Sequence, residues 1–307
     1  MSVLMCPGQG AQRVGMGRDL AERFPAARET FEAIDDALGF RLSRLMWEGP
    51  ESQLTLTQNT QPAILAHSVA VWAVVRPRFH AVGAAAGHSL GEYSAHVAAG
   101  TLAPTVAAQL VRRRGELMYA AGEERPGTMA AVLGLATAQV DQACNEASGA
   151  DGVAVAANLN APDQTVISGD PAAVTRAGEG CKARGAKRVV ALKVSGAFHS
   201  PLMVPAVDGL HDALTGVDFA DPAWPVIANA GAEPVRTGVD AKRLLVDQLT
   251  APVRWVECMR AAAALVPGAT FVELGPGTVL AGLVKRIVPD AATLTLGTAD
   301  EVERFLA

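Results

Sequence analysis

One pentapeptide constrains this chain more than any other feature. Gly87-His88-Ser89-Leu90-Gly91 stands between a small apolar run at residues 81–86 and a helix-compatible stretch at residues 90–99. A strand that turns at once into a helix brings two backbones close together, and a Cβ at either flanking glycine would collide. Glycine-x-serine-x-glycine in that setting is the signature of a nucleophile elbow. The serine Oγ is lifted out of the sheet edge, with the positive end of the helix beneath it. The plainer reading makes Ser89 only the N-cap of the following helix.

Strand-like and helix-like segments alternate through the rest of the sequence. Residues 3–6 read as a buried strand that ends in Pro7-Gly8-Gln9-Gly10, a tight loop. Helical periodicity covers 19–38, with Gly39 as its C-cap. Residues 61–79 read as a long buried helix with Pro62 in its first turn, and 104–121 as a helix carrying Arg112, Arg113 and Arg114. A polar, breaker-rich junction follows at 122–127. Beyond it come a strand (129–133), a helix capped by Thr137 (137–147), two strands (153–157, 165–168), a helix (171–184) and a strand (188–194). That β-α-β-β-α-β order is ferredoxin-like. Helices at 201–214, 241–249 and 255–265 then alternate with strands at 225–228 and 271–274. The expected fold class is α/β. A large hydrolase-like catalytic domain with a parallel sheet spans 1–124 and 196–307, and a small ferredoxin-like domain is inserted at 125–195.

Composition narrows the class. Half of the 307 residues are hydrophobic and only 19% are charged, which excludes disordered, collagenous and coiled-coil chains. A net charge of −5 disfavours nucleic-acid binding. The four cysteines, Cys6, Cys144, Cys181 and Cys258, show no CxxC spacing, so neither a zinc ribbon nor a redox pair is expected. Gly10 and Gly15 have P-loop spacing, but Met16 stands where the phosphate-binding lysine belongs. No metal or other cofactor is expected. The N-terminus lacks the basic and apolar regions of a signal peptide. The longest apolar run, residues 63–75, falls short of the ~20 residues that a membrane-spanning helix needs. A cytoplasmic protein without a membrane partner is the expectation.

A serine nucleophile needs a base. Of six histidines, His88 adjoins the serine across a tight bend that points neighbours apart. His67 lies in an apolar helix, His96 sits two turns down the elbow helix, and His80 and His211 look like surface positions. His199 follows Gly196-Ala197-Phe198 on a loop, where functional groups concentrate. No carboxylate announces itself as a third member, so a Ser89–His199 dyad is expected.

Seven motifs now coincide in order. They are Pro7-Gly8-Gln9-Gly10-Ala11-Gln12, Gly87-His88-Ser89-Leu90-Gly91-Glu92-Tyr93, Arg114-Gly115-Glu116-Leu117-Met118 and the segment from Asn158 through Asn160 to Gln164. The remainder are Gly196-Ala197-Phe198-His199-Ser200-Pro201, the segment from Gln248 to Trp255, and Glu273-Leu274-Gly275-Pro276-Gly277. Together they resemble the malonyl-CoA:acyl carrier protein transacylases of type II fatty acid synthesis, over residues 3 to 295. The resemblance implies malonyl transfer from malonyl-CoA to the phosphopantetheine thiol of acyl carrier protein through an ester on Ser89, with His199 moving the proton. It implies an oxyanion hole from the backbone N–H groups of Gln9 and Leu90, and a backbone carbonyl at Gln248 that orients His199. Arg114 would grip the malonyl carboxylate through two parallel hydrogen bonds. Phe198 would limit acyl size, its bulky ring leaving little room for an α-methyl. Asn158 and Asn160 would line the cleft, a turn-forming role being the plainer alternative.

Acyl carrier proteins are acidic, so a basic docking patch is expected, at Lys182, Arg184, Lys187 and Arg188 or at Lys285 and Arg286. Solvated helix ends explain either cluster equally well. Three rivals share the residues: a serine esterase or thioesterase, a binding module that has lost turnover, and an acyltransferase subunit of another pathway.

Overall fold

The computed structural model describes residues 1–307. Its ten strands are β1 (Ser2–Cys6), β2 (Val82–Gly87), β3 (Thr128–Leu133), β4 (Ala154–Ala161), β5 (Gln164–Gly169), β6 (Arg188–Ala191), β7 (Val226–Ile227), β8 (Pro234–Val235), β9 (Thr270–Leu274) and β10 (Ala292–Leu296). The larger sheet has the order β10-β9-β1-β2-β7-β8. All its pairs are parallel except β7–β8. Parallel neighbours need long crossovers, and here each carries helix.

β1 sits inside this sheet with Val3, Leu4, Met5 and Cys6 at most 1% exposed. A strand covered on both faces has no solvent side, which is why its sequence is unbroken apolar. β2 beside it consists of small residues after Val82, and the Gly91–Ala98 and Trp255–Leu265 helices pack against it.

Strands β3 to β6 form a separate antiparallel sheet, ordered β4-β5-β3-β6. With the Thr137–Ala147 and Pro171–Ala183 helices this is the β-α-β-β-α-β arrangement that the sequence suggests. Side chains alternate across the sheet. Ala130, Val132 and Ile167 face those two helices and share a core with Val140, Cys144, Val174 and Cys181. Met129 and Val166 face the other way and join the main core of the molecule. One face of the small sheet is therefore a wall of whatever lies between the two sheets.

Several elements differ from expectation for identifiable reasons. The helix expected over 19–38 is two helices, Arg18–Arg23 and Pro25–Leu38, because Pro25 drives Phe24 out of the helical region to φ −120°, ψ 113°. The long buried helix is Thr57–Val75, so Pro62 lies inside it and not in its first turn. The Gln58 carbonyl, which Pro62 cannot serve, accepts instead from Arg112 Nη1 at 3.1 Å. The expected 201–214 helix begins as a 3₁₀ segment, Pro201–Ala206, and becomes α-helical only at Val207–Thr215, with Pro205 inside the tight segment. Thr137 is not a cap; Ala136 holds that position, and the Thr137 hydroxyl pairs with Thr165 at 3.1 Å. β4 runs four residues beyond the expected end, which puts Asn158 and Asn160 on a strand and removes the turn-forming alternative. β8, β10 and the helices Leu42–Glu48, Val279–Ile287 and Ala299–Leu306 went unassigned in the sequence.

Candidate active site

The turn after β2 shows why its glycines are obligatory. A Cβ on Gly87 would lie 1.9 Å from the Gly91 carbonyl carbon, and one on Gly91 would lie 2.2 Å from the Cys6 carbonyl oxygen. The chain reverses in this space only by holding Ser89 at φ 53°, a left-handed conformation rare for a side-chain-bearing residue. The Gly91–Ala98 helix starts directly behind it and directs its positive end at the serine.

Ser89 Oγ lies 2.7 Å from His199 Nε2. His199, also left-handed at φ 55°, sits in a loop braced by Ser200, whose hydroxyl donates to Ala197 O at 2.6 Å. Its Nδ1 lies 2.9 Å from the Gln248 carbonyl and 3.2 Å from that of Ala251. Gln248 ends the Gly238–Asp247 helix, where a carbonyl has no partner within the helix. With Nδ1–H donating to those oxygens, Nε2 is left to accept from the serine. Burial, reinforced by the Arg114 charge, lowers the His199 pKa to about 3. The imidazole is therefore neutral at ordinary pH, and the pair can pass a proton from Ser89 to His199.

Arg114 is 1% exposed, deep on the inner face of the Pro104–Glu124 helix. Its neighbours point elsewhere: Arg112 pairs with Glu116 and covers the Phe40 ring, and Arg113 is half exposed beside Glu116. The Arg114 guanidinium donates from Nη1 to Gln61 Oε1 at 2.7 Å, and from Nη2 to Gln248 Oε1 at 3.0 Å and Ser89 Oγ at 3.1 Å. All three acceptors are neutral, and Nε has no partner. A buried cation held by neutral oxygens beside a nucleophile is a ready receptor for a carboxylate.

These groups surround a cavity of about 250 Å³ between the two sheets. Gln9, Leu90, Phe198, Asn158 and Asn160 all line it, as do Ser89, His199 and Arg114. The Gln9 and Leu90 N–H groups donate to no protein acceptor, whereas Ser89 N–H is occupied by Asn229 Oδ1 at 2.7 Å. Two free donors near one hydroxyl can bind a developing oxyanion. Asn158 and Asn160, two apart on β4, share a face; Asn160 Oδ1 accepts from His88 Nε2 at 2.8 Å, and Asn158 Oδ1 is unpartnered. Met118, Met129 and Phe198 make the apolar wall.

Of the other histidines, His88 lines the cavity but is held by Asn160, His80 and His211 are exposed, and His67 and His96 are buried outside the cavity lining. His67 is bonded to Gly297 O at 2.8 Å, and His96 Nδ1 lies 3.3 Å from the Thr101 hydroxyl. The Cys6 thiol, pushed up by burial and by Glu273, is unreactive. No group of His, Cys, Asp and Glu could hold a metal ion, and no helix is long and apolar enough to cross a membrane.

Four residues of the site escaped the sequence reading: Gln61, Glu92, Asn229 and Ala251. Glu92 carried the plainest signal, a charged residue on a helix buried all round. It is 0% exposed, and burial lifts its pKa to about 7 against the pull of its hydrogen bonds and of Arg114.

A parallel helix-covered sheet with a serine–histidine pair at a strand–helix elbow defines an α/β protein with a nucleophilic serine. The chain belongs to the acyltransferase family: the acyl transferase domain model matches residues 3–299. Within it, the chain is similar to the malonyl CoA-acyl carrier protein transacylase of Bacillus subtilis (strain 168), 42% identical over 298 residues, 97% of this chain and 93% of the relative. The transacylase of the same name from Escherichia coli (strain K12) is 43% identical over 303 residues, 98% of this chain and 96% of the relative. In three dimensions the chain resembles a malonyl-transacylase solved with its type II polyketide acyl-carrier protein. The TM-score is 0.95 at 41% identity, over 100% of this chain and 99% of that one.

Proposed function

We propose that this chain transfers malonyl groups from malonyl-CoA to the phosphopantetheine thiol of an acyl carrier protein, through a malonyl ester on Ser89, and so supplies extender units for fatty acid biosynthesis. The single observation that carries this reading is the buried Arg114 guanidinium, 3.1 Å from Ser89 Oγ and without a carboxylate partner. A hydrolase of neutral esters has no use for it.

In the first half-reaction the Ser89 oxygen attacks the thioester carbon while its proton passes to His199 Nε2. The tetrahedral oxyanion is held by the N–H groups of Gln9 and Leu90. The C–S bond then breaks, the departing CoA sulfur takes the proton from His199, and a malonyl ester remains. In the second half the carrier thiol gives its proton to His199 and attacks the ester carbon; the C–O bond breaks and Ser89 recovers its proton. The Gln248 carbonyl holds the imidazole in one tautomer throughout. The malonyl carboxylate pairs with Arg114, and this does more than hold the substrate. The Arg114 charge is one cause of the low His199 pKa. A bound carboxylate neutralises it, so an anionic acyl group strengthens the base that activates the serine, whereas an acetyl group does not. Phe198, in the wall of the cavity, limits the size of the acyl group, and Asn158 and Asn160 line the same cavity.

We further assign residues 1–124 and 196–307 to a catalytic unit and 125–195 to an inserted one, and place the chain in the cytoplasm without a cofactor. The four thiols are unpaired and buried, consistent with a reducing compartment. The carrier-docking surface is one of the two basic clusters; in the first Arg184 pairs with Glu146, and in the second Arg286 pairs with Asp163, which leaves Lys182, Lys187, Arg188 and Lys285 to meet an acidic partner.

The test is a partition experiment with malonyl-CoA and holo acyl carrier protein. Malonyl-carrier protein is the expected dominant product, and free malonate as the dominant product would identify a hydrolase.

A further inference from the structure

Glu92 is a fully buried carboxylate that the chemistry above does not use. It lies one residue past the second glycine of the elbow, and its bonds lead to both halves of the dyad. Glu92 Oε2 accepts from Asn229 N–H at 3.0 Å and from Gln248 Nε2 at 2.6 Å. Asn229 in turn takes Ser89 N–H on Oδ1 at 2.7 Å and donates from Nδ2 to Gly87 O at 2.7 Å. Those two contacts pin the peptides on either side of His88 at the elbow, where Ser89 is held at φ 53°. They also keep Ser89 N–H out of the cavity, which leaves the adjacent Leu90 N–H free. Gln248 donates from the same Nε2 to Ser89 O at 3.0 Å, accepts Arg114 Nη2 on Oε1, and offers its backbone carbonyl to His199 Nδ1. One carboxylate oxygen thus joins the residue that fixes the nucleophile's peptide to the residue that fixes the base and the guanidinium.

We propose that Glu92 is a positioning residue for acyl transfer: by accepting from Asn229 and Gln248 together it holds the Ser89 peptide, the His199 imidazole and the Arg114 guanidinium in one relative geometry. The inference rests on the malonyl-transfer reading for its chemistry. What Glu92 supplies is an acceptor oxygen at a fixed point, not a charge. Its other oxygen has no partner, so a glutamine amide nitrogen in that place displaces no existing hydrogen bond. Misplacing a reacting group by even about 1 Å is enough to slow a reaction ~10²-fold. A group that merely filled space would affect how many molecules fold and leave each folded molecule at full speed.

Single-turnover acylation by malonyl-CoA, read by intact mass, separates these quantities: the amplitude counts competent molecules and the rate constant reports their geometry. Glu92→Gln keeps the acceptor oxygen, and we expect its rate constant within about threefold of the parent chain. Glu92→Ala removes the acceptor and is expected to slow acylation ~30- to 100-fold per competent molecule, a misplacement effect. Glu92→Asp, which withdraws the carboxylate by one methylene, is expected to fall between and decides the matter should the alanine variant not fold. Alanine or aspartate variants that acylate at the parent rate, with only the amplitude reduced, would overturn the proposal, as would a glutamine variant no faster than alanine. The parent chain is the control for the underlying reading: its failure to form a malonyl adduct would overturn that reading, independently of how the Glu92 variants rank.

Discussion

Arg114 Nη2 donates to Ser89 Oγ at 3.1 Å, so a buried cation and the nucleophile share a hydrogen bond before any substrate arrives. The contact restrains the serine hydroxyl toward His199 and marks where an acyl carboxylate must go. It also exposes the central trade-off of the site, because the same cation that receives the substrate weakens the base.

Replacing Arg114 by Ala removes the receptor and one cause of the low His199 pKa at the same time. Malonyl-CoA acylation should fall by ~10- to 100-fold, the worth of a charge-assisted pair, while acetyl-CoA acylation changes far less. Rates measured with both donors check this, and an unchanged malonyl-to-acetyl ratio removes the assigned role. Arg114→Lys keeps a charge without the planar fork and should recover only part of the loss.

The pH profile of kcat/KM for malonyl-CoA should be flat from about pH 5 to 8. His199 is already neutral there, since burial and then Arg114 hold its pKa down to about 3. An acid limb near the ordinary histidine value of about 6.5 would show that the base is far less buried in solution than it is here.

Stability should also fall in acid, with a sign that can be worked out. His67, His96 and His199 have folded pKa values lowered to about 4, 3 and 3, mainly by burial. Below about pH 6.5 the unfolded chain binds protons that the folded chain refuses, so stability drops as pH falls toward 3. Glu92 and Glu273, both raised to about 7 by burial, oppose this only while the unfolded glutamates are ionised, between about pH 4.5 and 7. Urea midpoints should therefore decline gently from pH 6.5 to 4.5 and more steeply below. A midpoint that is level down to pH 4 contradicts the buried histidines.

Phe198→Leu should widen the pocket for an α-methyl. A methyl in a tight pocket is worth ~1–3 kcal/mol, so the methylmalonyl-to-malonyl ratio of kcat/KM should rise about 10-fold or more. Competition between the two donors measures it. No change in the ratio would make Phe198 ordinary packing.

The elbow was legible because its constraint is steric and local: Gly87 and Gly91 carry their reason in the chain itself. His199 and Arg114 were reachable by elimination and resemblance, and the structure brings both to Ser89. The roles of the second layer were not legible, although Glu92 itself stands in the elbow motif. Asn229 and Glu92 act on the elbow through a turn and a helix that meet only in the folded state, and an asparagine 140 positions from the serine gives no sign that it will hold the serine's amide. Pro62 misled in the opposite sense. A proline usually marks a helix start, but here Arg112 from another helix satisfies the orphaned Gln58 carbonyl, so the helix continues through it. Local rules failed where a distant side chain took over a backbone duty.

The most direct test is to mix the protein briefly with malonyl-CoA, quench in acid, digest, and map the label by mass spectrometry. One malonyl group should appear on the peptide holding Ser89, disappear when holo acyl carrier protein is added, and be absent from Ser89→Ala. A label on any other residue, or none while malonyl transfer proceeds, would contradict the covalent serine route.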